Sequence, residues 1–331
     1  MRDIVVIGAS AGGVEALKEI ASQLPGRIRA AIFMVVHVSP DSSGMLPAIL
    51  NRNSKIRARQ AEDGWRIEPG NIYVAAPDHH LLLEKDEMRV VRGPKHNRHR
   101  PAIDLLFRTA ARNFGRRVIG VVLTGFLDDG SSGLLAIKNA GGITIIQDPD
   151  DAQVASMPRN ALLQVQPDYC VPVSQMGDLI NQLVENGKTM LAGHKDNGGP
   201  SKLGKKKSNT TFTCPDCHGT IWEVEENGEV RFECRVGHAY SPEAMRTAAD
   251  DDIERSLWVA LRSLEESAAL EQRLADLSAE RKRPGAHNFY LQKAHARKQH
   301  AAILRDFLMG SKRRQTEVEG DEGKAELERV S

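Results

Sequence analysis

Ile4-Val5-Val6-Ile7-Gly8-Ala9-Ser10-Ala11-Gly12-Gly13 decides how this chain is built. An apolar run ends in a serine flanked by glycines, and a helical pattern begins at Val14. That is the layout of a nucleophile elbow. A serine on a tight strand-to-helix turn projects its hydroxyl above the sheet edge, and small neighbours let a carbonyl approach while helix N-terminal amides face the developing oxyanion. Glycine-rich turns also pack helices closely or cradle phosphates, so the pentapeptide alone leaves the role of Ser10 open.

Two more apolar runs narrow the choice. Ala31 to Val36 ends in His37, and Val118 to Leu123 leads into Thr124-Gly125-Phe126-Leu127-Asp128-Asp129-Gly130. Each run has the composition of a buried parallel strand. Ser10, His37 and Asp129 would all leave carboxyl ends of strands, where the sites of open α/β sheets collect. Their chain order, Ser then His then Asp, differs from that of α/β-hydrolases, but a triad is defined by geometry and roles.

Further strand-like runs lie near residues 72–75, 81–84, 88–91, 143–147 and 169–173. Helical patterns fall at Val14 to Gln23, Gly44 to Asn51, Ala102 to Asn113, Ser131 to Asn139 and Gln175 to Glu185. This alternation predicts an α/β fold with a doubly wound, mostly parallel sheet. Only Lys85, Asp86 and Glu87 join two of the runs, which is too short for a parallel crossover. A β-hairpin patch is therefore expected to interrupt the sheet. Cys170, in an apolar run, is expected to be a small core residue.

The chain has 331 residues, a formal net charge of +1 and four cysteines. The neutral balance gives no global attraction to nucleic acid. No basic leader precedes the first strand, and no apolar stretch approaches the roughly 20 residues needed to span a bilayer. A cytoplasmic protein without direct membrane insertion is expected. A dinucleotide-binding reading fails on spacing, since Gly8, Gly12 and Gly13 do not form Gly-x-Gly-x-x-Gly and no ribose-binding acid follows the second strand.

Over about residues 3–185 the chain resembles the CheB-type protein-glutamate methylesterase family. The resemblance rests on Ile7 to Gly13, His37 with Pro40, Glu62-Asp63-Gly64, Pro69-Gly70, Ala76-Pro77, Asn97-Arg98-His99-Arg100-Pro101 with Asp104, Leu123 to Gly130, and Met157-Pro158-Arg159. It implies a Ser10, His37, Asp129 triad that hydrolyses glutamate methyl esters on the cytoplasmic helices of methyl-accepting receptors, with deamidation of receptor glutamines as a related activity. No catalytic cofactor is implied. Amides near Ala11 and Phe126 are candidate oxyanion donors, and Arg98 and Arg100, in a basic segment with Arg92, Lys95 and His99, are candidates for aligning an acidic receptor helix. A catalytically weak, CheB-like adaptor is the alternative. One departure favours it: many members carry Thr-Gly-Met-Gly-x-Asp-Gly where this chain has Phe126 and Leu127, so a turn that needs positive φ would be strained. Asp128 is expected to be a solvated turn residue.

Cys214-Pro215-Asp216-Cys217 and Cys234-Arg235-Val236-Gly237-His238 form a second constellation. Two such knuckles around a hairpin turning at Asn227-Gly228 suit a structural, four-coordinate Zn2+ in a zinc-ribbon-like module. His218 competes as a ligand, but His238 completes the second knuckle. A redox Cys-x-x-Cys is the alternative.

The expected organisation is a catalytic domain over 1–190, a flexible linker over 191–210, a zinc-ribbon-like module over 211–245, a helical hairpin over 246–310 and a disordered charged tail over 311–331. Family members with a phosphoacceptor receiver carry it before the catalytic part, and this chain begins one strand before Ser10, so a stand-alone enzyme is expected. Ile253, Leu257, Leu261, Leu264, Leu274 and Leu277 mark one helical face, and Tyr290, Leu291, Ile303, Leu304 and Phe307 another. These helices are candidates for binding other signalling proteins.

Overall fold

The computed structural model describes residues 2–185, 206–226 and 229–327, with side chains through Met309. Most of the expected linker and the Asn227-Gly228 turn lie outside the described residues. The chain divides into two compact units, Met1–Arg246 and Thr247–Ser331.

Seven strands form the central sheet of the first unit: β1 (Ile4–Ala9), β2 (Ala31–Val36), β3 (Arg57–Gln60), β4 (Asn71–Val74), β7 (Val118–Val122), β8 (Ile143–Gln147) and β9 (Tyr169–Val171). Their order is β3-β4-β2-β1-β7-β8-β9, and every pairing is parallel. The chain winds outward from β1 in both directions. The order therefore reverses at β1 and β7, which opens a crevice at their carboxyl ends.

The central strands are apolar throughout because both faces are covered. On one face Val5, Ile7 and Ala9 pack with α1 (Gly13–Gln23), α2 (Leu46–Leu50) and α6 (Val173–Glu185). On the other, Ile4 and Val6 pack with α3 (Ile103–Phe114), α4 (Ser131–Asn139) and α5 (Ser156–Gln164). The hairpin β5 (His80–Leu83) and β6 (Met88–Val91) pairs antiparallel as expected but forms its own two-stranded sheet, adding Leu81, Leu83 and Met88 to this second core.

Two elements have no clear apolar period. β3 is the sequence Arg-Ala-Arg-Gln at the sheet edge, where only Ala58 faces the core. α5 carries Pro158 in its first turn, a position where a missing N–H costs nothing. Cys170 corrects its core assignment: it is exposed, because β9 is the opposite edge strand and points that side chain outward.

A four-stranded antiparallel sheet completes the unit: β10 (Lys206–Thr213), β11 (Thr220–Glu226), β12 (Glu229–Cys234) and β13 (Ala239–Tyr240). Residues 206–210 are thus strand and not linker; their backbone pairs with β11 from Lys206↔Glu225 onward, a ladder that polar residues at an edge can form.

Two long helices follow, α7 (Pro242–Glu280) and α8 (Pro284–Leu327). Leu261, Ala301 and Leu308 are buried between them, with Leu257, Leu264 and Leu304 alongside. Ile253, Leu291, Ile303 and Phe307 are exposed, which corrects four of the eleven residues expected on the two apolar faces. The charged tail is also corrected: α8 continues to Leu327, through residues of which Lys, Arg, Glu and Gln are good helix formers.

Candidate active site

The crevice between β1 and β7 receives all three residues expected there. Ala9 and Val36 are in register, so Ser10 and His37 leave adjacent strands, about 4.8 Å apart, at the same level. The His37 N–H still bonds to the Ala9 carbonyl at 3.1 Å. On the other side the Ser10 N–H donates to Thr124 O at 3.0 Å. Gly125 permits this approach, because a Cβ there would stand 2.6 Å from the Ser10 Cβ. The turn closes at Gly12, in the left-handed region at φ 75°.

Thr124 fixes the height of the serine turn. Its hydroxyl donates to Ala11 O at 2.9 Å and accepts the Val154 N–H at 2.8 Å, while its own N–H is held by Gln147 Oε1 at 2.8 Å. The N–H groups of Ala11 and Phe126 donate to no group among the described residues. They are available to an oxyanion.

Asp129 has one of its oxygens on His37. Oδ2 accepts from His37 Nε2 at 2.8 Å and from the Ile103 N–H at 2.7 Å; Oδ1 accepts from Asn97 Nδ2 at 2.9 Å and the Asp104 N–H at 3.2 Å. Burial alone would raise this carboxyl, but the bonds from His37 and Ile103 hold it well below the usual carboxylate range. An ionised Asp129 can only accept, so Nε2 carries the proton toward it. His37 Nδ1 is then a bare lone pair, buried and without a partner among the described residues.

Glycine brings the Asp129 donors into reach. A Cβ on Gly8 would lie 2.2 Å from Ile103 Cγ2, so the start of α3 can settle on the end of β1 only because that residue has no side chain. Asp104, buried beside Asp129, accepts the N–H groups of Gly130 and Gly133 at 3.0 and 2.6 Å and so caps α4. Burial and the neighbouring Asp129 charge raise its affinity for a proton. Asn97, 4% exposed, spans the pair, donating also to Asp104 Oδ2 at 2.9 Å. Asn97 and Asp104 carry the family resemblance in the sequence, but only the fold gives them these contacts.

His99 stacks on His37 with ring centroids 3.6 Å apart and planes 5° from parallel. Burial, then the His37 ring, lowers its pKa to about 4, so it is neutral near pH 7. Arg100 donates to Asp78 Oδ1 at 2.8 and 2.5 Å and to Gly93 O at 2.6 Å. That guanidinium braces its own loop. Arg98 is partly buried in a left-handed backbone at φ 69°, beside Asn97 at φ 48°.

Leu127 adopts φ 61°, the left-handed conformation a glycine would take without strain. Asn160 Nδ2 holds its carbonyl at 2.8 Å. Phe126 is 60% exposed at the crevice rim. Asp128 corrects the expectation of a solvated residue: it is 2% exposed, and its Oδ1 accepts the Ser241 hydroxyl at 3.0 Å. Burial raises its pKa to about 6.

Cys214, Cys217, Cys234 and His238 come together in the antiparallel module with all ligand atoms within 4.8 Å of one another. The separations are 3.7 Å for Cys214 Sγ to His238 Nδ1, 3.5 Å for Cys234 Sγ to His238 Nδ1 and 3.7 Å for Cys217 Sγ to Cys234 Sγ. A tetrahedral Zn2+ with bonds of about 2.3 Å to sulfur and 2.0 Å to nitrogen requires edges of about 3.8 and 3.5 Å. The four side chains fit such an ion. His218 stands outside the cluster.

Comparison with known proteins agrees with the catalytic half. Residues 5–180 match the family described as CheB methylesterase. A Leptospira interrogans protein with the provisional name protein-glutamate methylesterase/protein-glutamine glutaminase is 39% identical over 185 residues, 56% of this chain and 96% of that protein. A Yersinia pestis protein-glutamate methylesterase/protein-glutamine glutaminase is 35% identical over 191 residues, 56% of this chain and 54% of its own length. The crystal structure of the Thermotoga maritima CheB methylesterase catalytic domain superposes with a TM-score of 0.54 at 33% identity, covering 56% of this chain and all of that one. With more than half its length in that match and the same parallel sheet beneath the crevice, the chain belongs to the CheB methylesterase family.

Proposed function

We propose that this chain is a serine hydrolase that removes methyl groups from glutamate methyl esters on the cytoplasmic helices of methyl-accepting receptors, and releases ammonia from receptor glutamines by the same route. One observation carries it: His37 has Nε2 tied to the ionised Asp129 and Nδ1 bare, at the level where Ser10 leaves the neighbouring strand. A base held in one tautomer beside a serine is what acyl transfer needs.

Ser10 Oγ attacks the side-chain carbonyl as Nδ1 takes its proton. Asp129 stabilises the imidazolium, and the amides of Ala11 and Phe126 receive the oxyanion; one such donor contributes about 3 kcal/mol. The proton passes from Nδ1 to the departing methanol or ammonia, leaving a glutamyl ester on Ser10. Water, deprotonated by the same nitrogen, releases glutamate and returns the hydroxyl. A neutral His99 against His37 leaves the positive charge of the intermediate on one ring. Lys95 and Arg98 on the 92–100 segment attract an acidic receptor helix.

Cys214, Cys217, Cys234 and His238 would hold a structural Zn2+, since four protein ligands leave no open position for catalysis. Among the described residues no helix is long and apolar enough to cross a membrane. The test is methanol release from a methylated receptor fragment, with Ser10→Ala as control. Release that persists in the variant would refute the role of Ser10.

A further inference from the structure

The metal module does not stand apart from the catalytic crevice. Its last strand, β13, reaches the loop that holds Asp129: the Asn97 N–H donates to Ala239 O at 2.7 Å, and the Ala239 N–H donates to Lys95 O at 3.3 Å. Two residues on, the Ser241 N–H donates to Asn97 Oδ1 at 2.8 Å. The Ser241 hydroxyl donates to Asp128 at 3.0 Å and accepts the Ala244 N–H at 3.0 Å.

Asn97 is thereby loaded at both ends. Its carbonyl oxygen is fixed by the module, and its amide nitrogen is fixed on Asp129 and Asp104. An amide held by its oxygen cannot rotate away from the carboxylates it serves. Its backbone is left-handed at φ 48°, and Gly237 of the second knuckle lies against Pro94. His238, a member of the cluster, precedes Ala239 directly, so the cluster and the strand that grips Asn97 are joined without an intervening residue.

We infer that the metal-bound module is a working part of the active site, in which Ser241 and Asn97 are positioning residues that hold the Asp128-Asp129 loop in register with His37, so that metal occupancy governs the nucleophilicity of Ser10. The inference rests on the esterase reading for its consequence in turnover, but the coupling itself concerns only Asn97, Ser241 and Asp129. The family match ends at residue 180, so the brace comes from a part of the chain outside it.

The full-length chain is compared zinc-loaded, chelator-stripped, and as Cys217→Ser, Ser241→Ala and Ser241→Thr. Two readouts are taken: the rate and pH profile of Ser10 labelling by a fluorophosphonate, and amide hydrogen exchange at residues 95–97 and in β1, β2 and β7. Stripping the metal should slow labelling by about 10²-fold, the scale of a displacement of about an ångström at a catalytic group, and flatten its pH profile. Residues 95–97 should lose protection while β1, β2 and β7 keep theirs. Zinc should restore the wild type but not Cys217→Ser. Ser241→Ala should slow labelling with zinc still bound, and Ser241→Thr should not. Equal labelling or equal exchange at 95–97 with and without metal would overturn the inference, and so would loss of protection across the parallel strands. If the zinc-loaded chain labels at Ser10 but releases no methanol from receptor esters, the substrate assignment fails and the coupling stands.

Discussion

Beneath Ser10 and His37 lie Val6, Ile7, Val35 and Val121, all fully buried, whereas among the described residues of 206–241 the Cys3His module buries Ile221, Val224, Ala239 and Tyr240 besides its cysteines. The catalytic edge is held by two apolar layers that would exist with or without its polar residues. The module has too little to bury, and four ligand side chains replace the missing core. Precision therefore has different sources in the two regions. At the sheet edge it comes from strand register, which places Ser10 and His37 level; in the module it would come from the coordination of a metal by the four clustered side chains, next to β13.

The largest consequence of this contrast is at the metal. Zn2+ binding to small modules is worth about 10–16 kcal/mol, so Cys217→Ser should abolish the folding of residues 206–241 while the α/β part still melts cooperatively. A single calorimetric transition lost as a whole would show that the two regions share one stability.

Next comes the carboxylate of the proposed triad. Asp129→Asn should lower kcat about 10⁴-fold with little change in melting temperature, because an amide there can present an N–H to His37 and favour the wrong tautomer. A loss of less than tenfold would mean that Asp129 does not orient the base.

Gly8→Ala probes the packing that delivers the Ile103 N–H. The added methyl would start 2.2 Å from Ile103 Cγ2, and such overpacking costs about 1–3 kcal/mol. Chemical denaturation should show that loss together with reduced kcat, since α3 must retreat from Asp129. Unchanged kcat would detach α3 from the catalytic geometry.

The smallest effect is in acid. His99 is held to about 4 when folded and titrates near 6.5 when unfolded. The folded state therefore binds fewer protons, and the stability this group contributes is complete above about pH 6.5 and lost as pH falls toward 4. His96, held to about 4 by burial and His80, acts in the same sense; Asp128, raised to about 6, acts in the opposite one, gaining a proton first in the folded state. A His99→Gln variant keeps both of those groups, so its melting temperature should fall less than that of the wild type between pH 7 and pH 5. An equal fall would mean that His99 is not shielded.

Much of this was legible in the residues. The apolar runs ending in Ser10, His37 and before Asp129 announce parallel strands because burial on both faces leaves no polar alternation to mask them. The Cys-x-x-Cys spacing is legible because four ligands must meet at one point. What the chain does not announce is contact between distant segments. Asp128 looks like a turn residue until Ser241, 113 residues later, covers it. Asn97 belongs to a recognisable motif, yet its amide bridge follows from Gly8 and Gly130 admitting Ile103, which no local pattern reports. Leu127 is the instructive case: the sequence warns of strain where the family has glycine, and the backbone is nevertheless left-handed there, held through Asn160.

The central claim is that Ser10, His37 and Asp129 act together on glutamate methyl esters. Its most direct test is methanol release from methylated cytoplasmic fragments of a methyl-accepting receptor by the full-length, zinc-loaded chain, alongside Ser10→Ala. Steady release by the wild type and a fall of at least about 10⁴-fold in the variant is the expected result. No release by a folded, zinc-loaded wild type, or equal release by both proteins, would contradict it, and the first of these would leave the chain as a binding partner of receptors in place of their esterase.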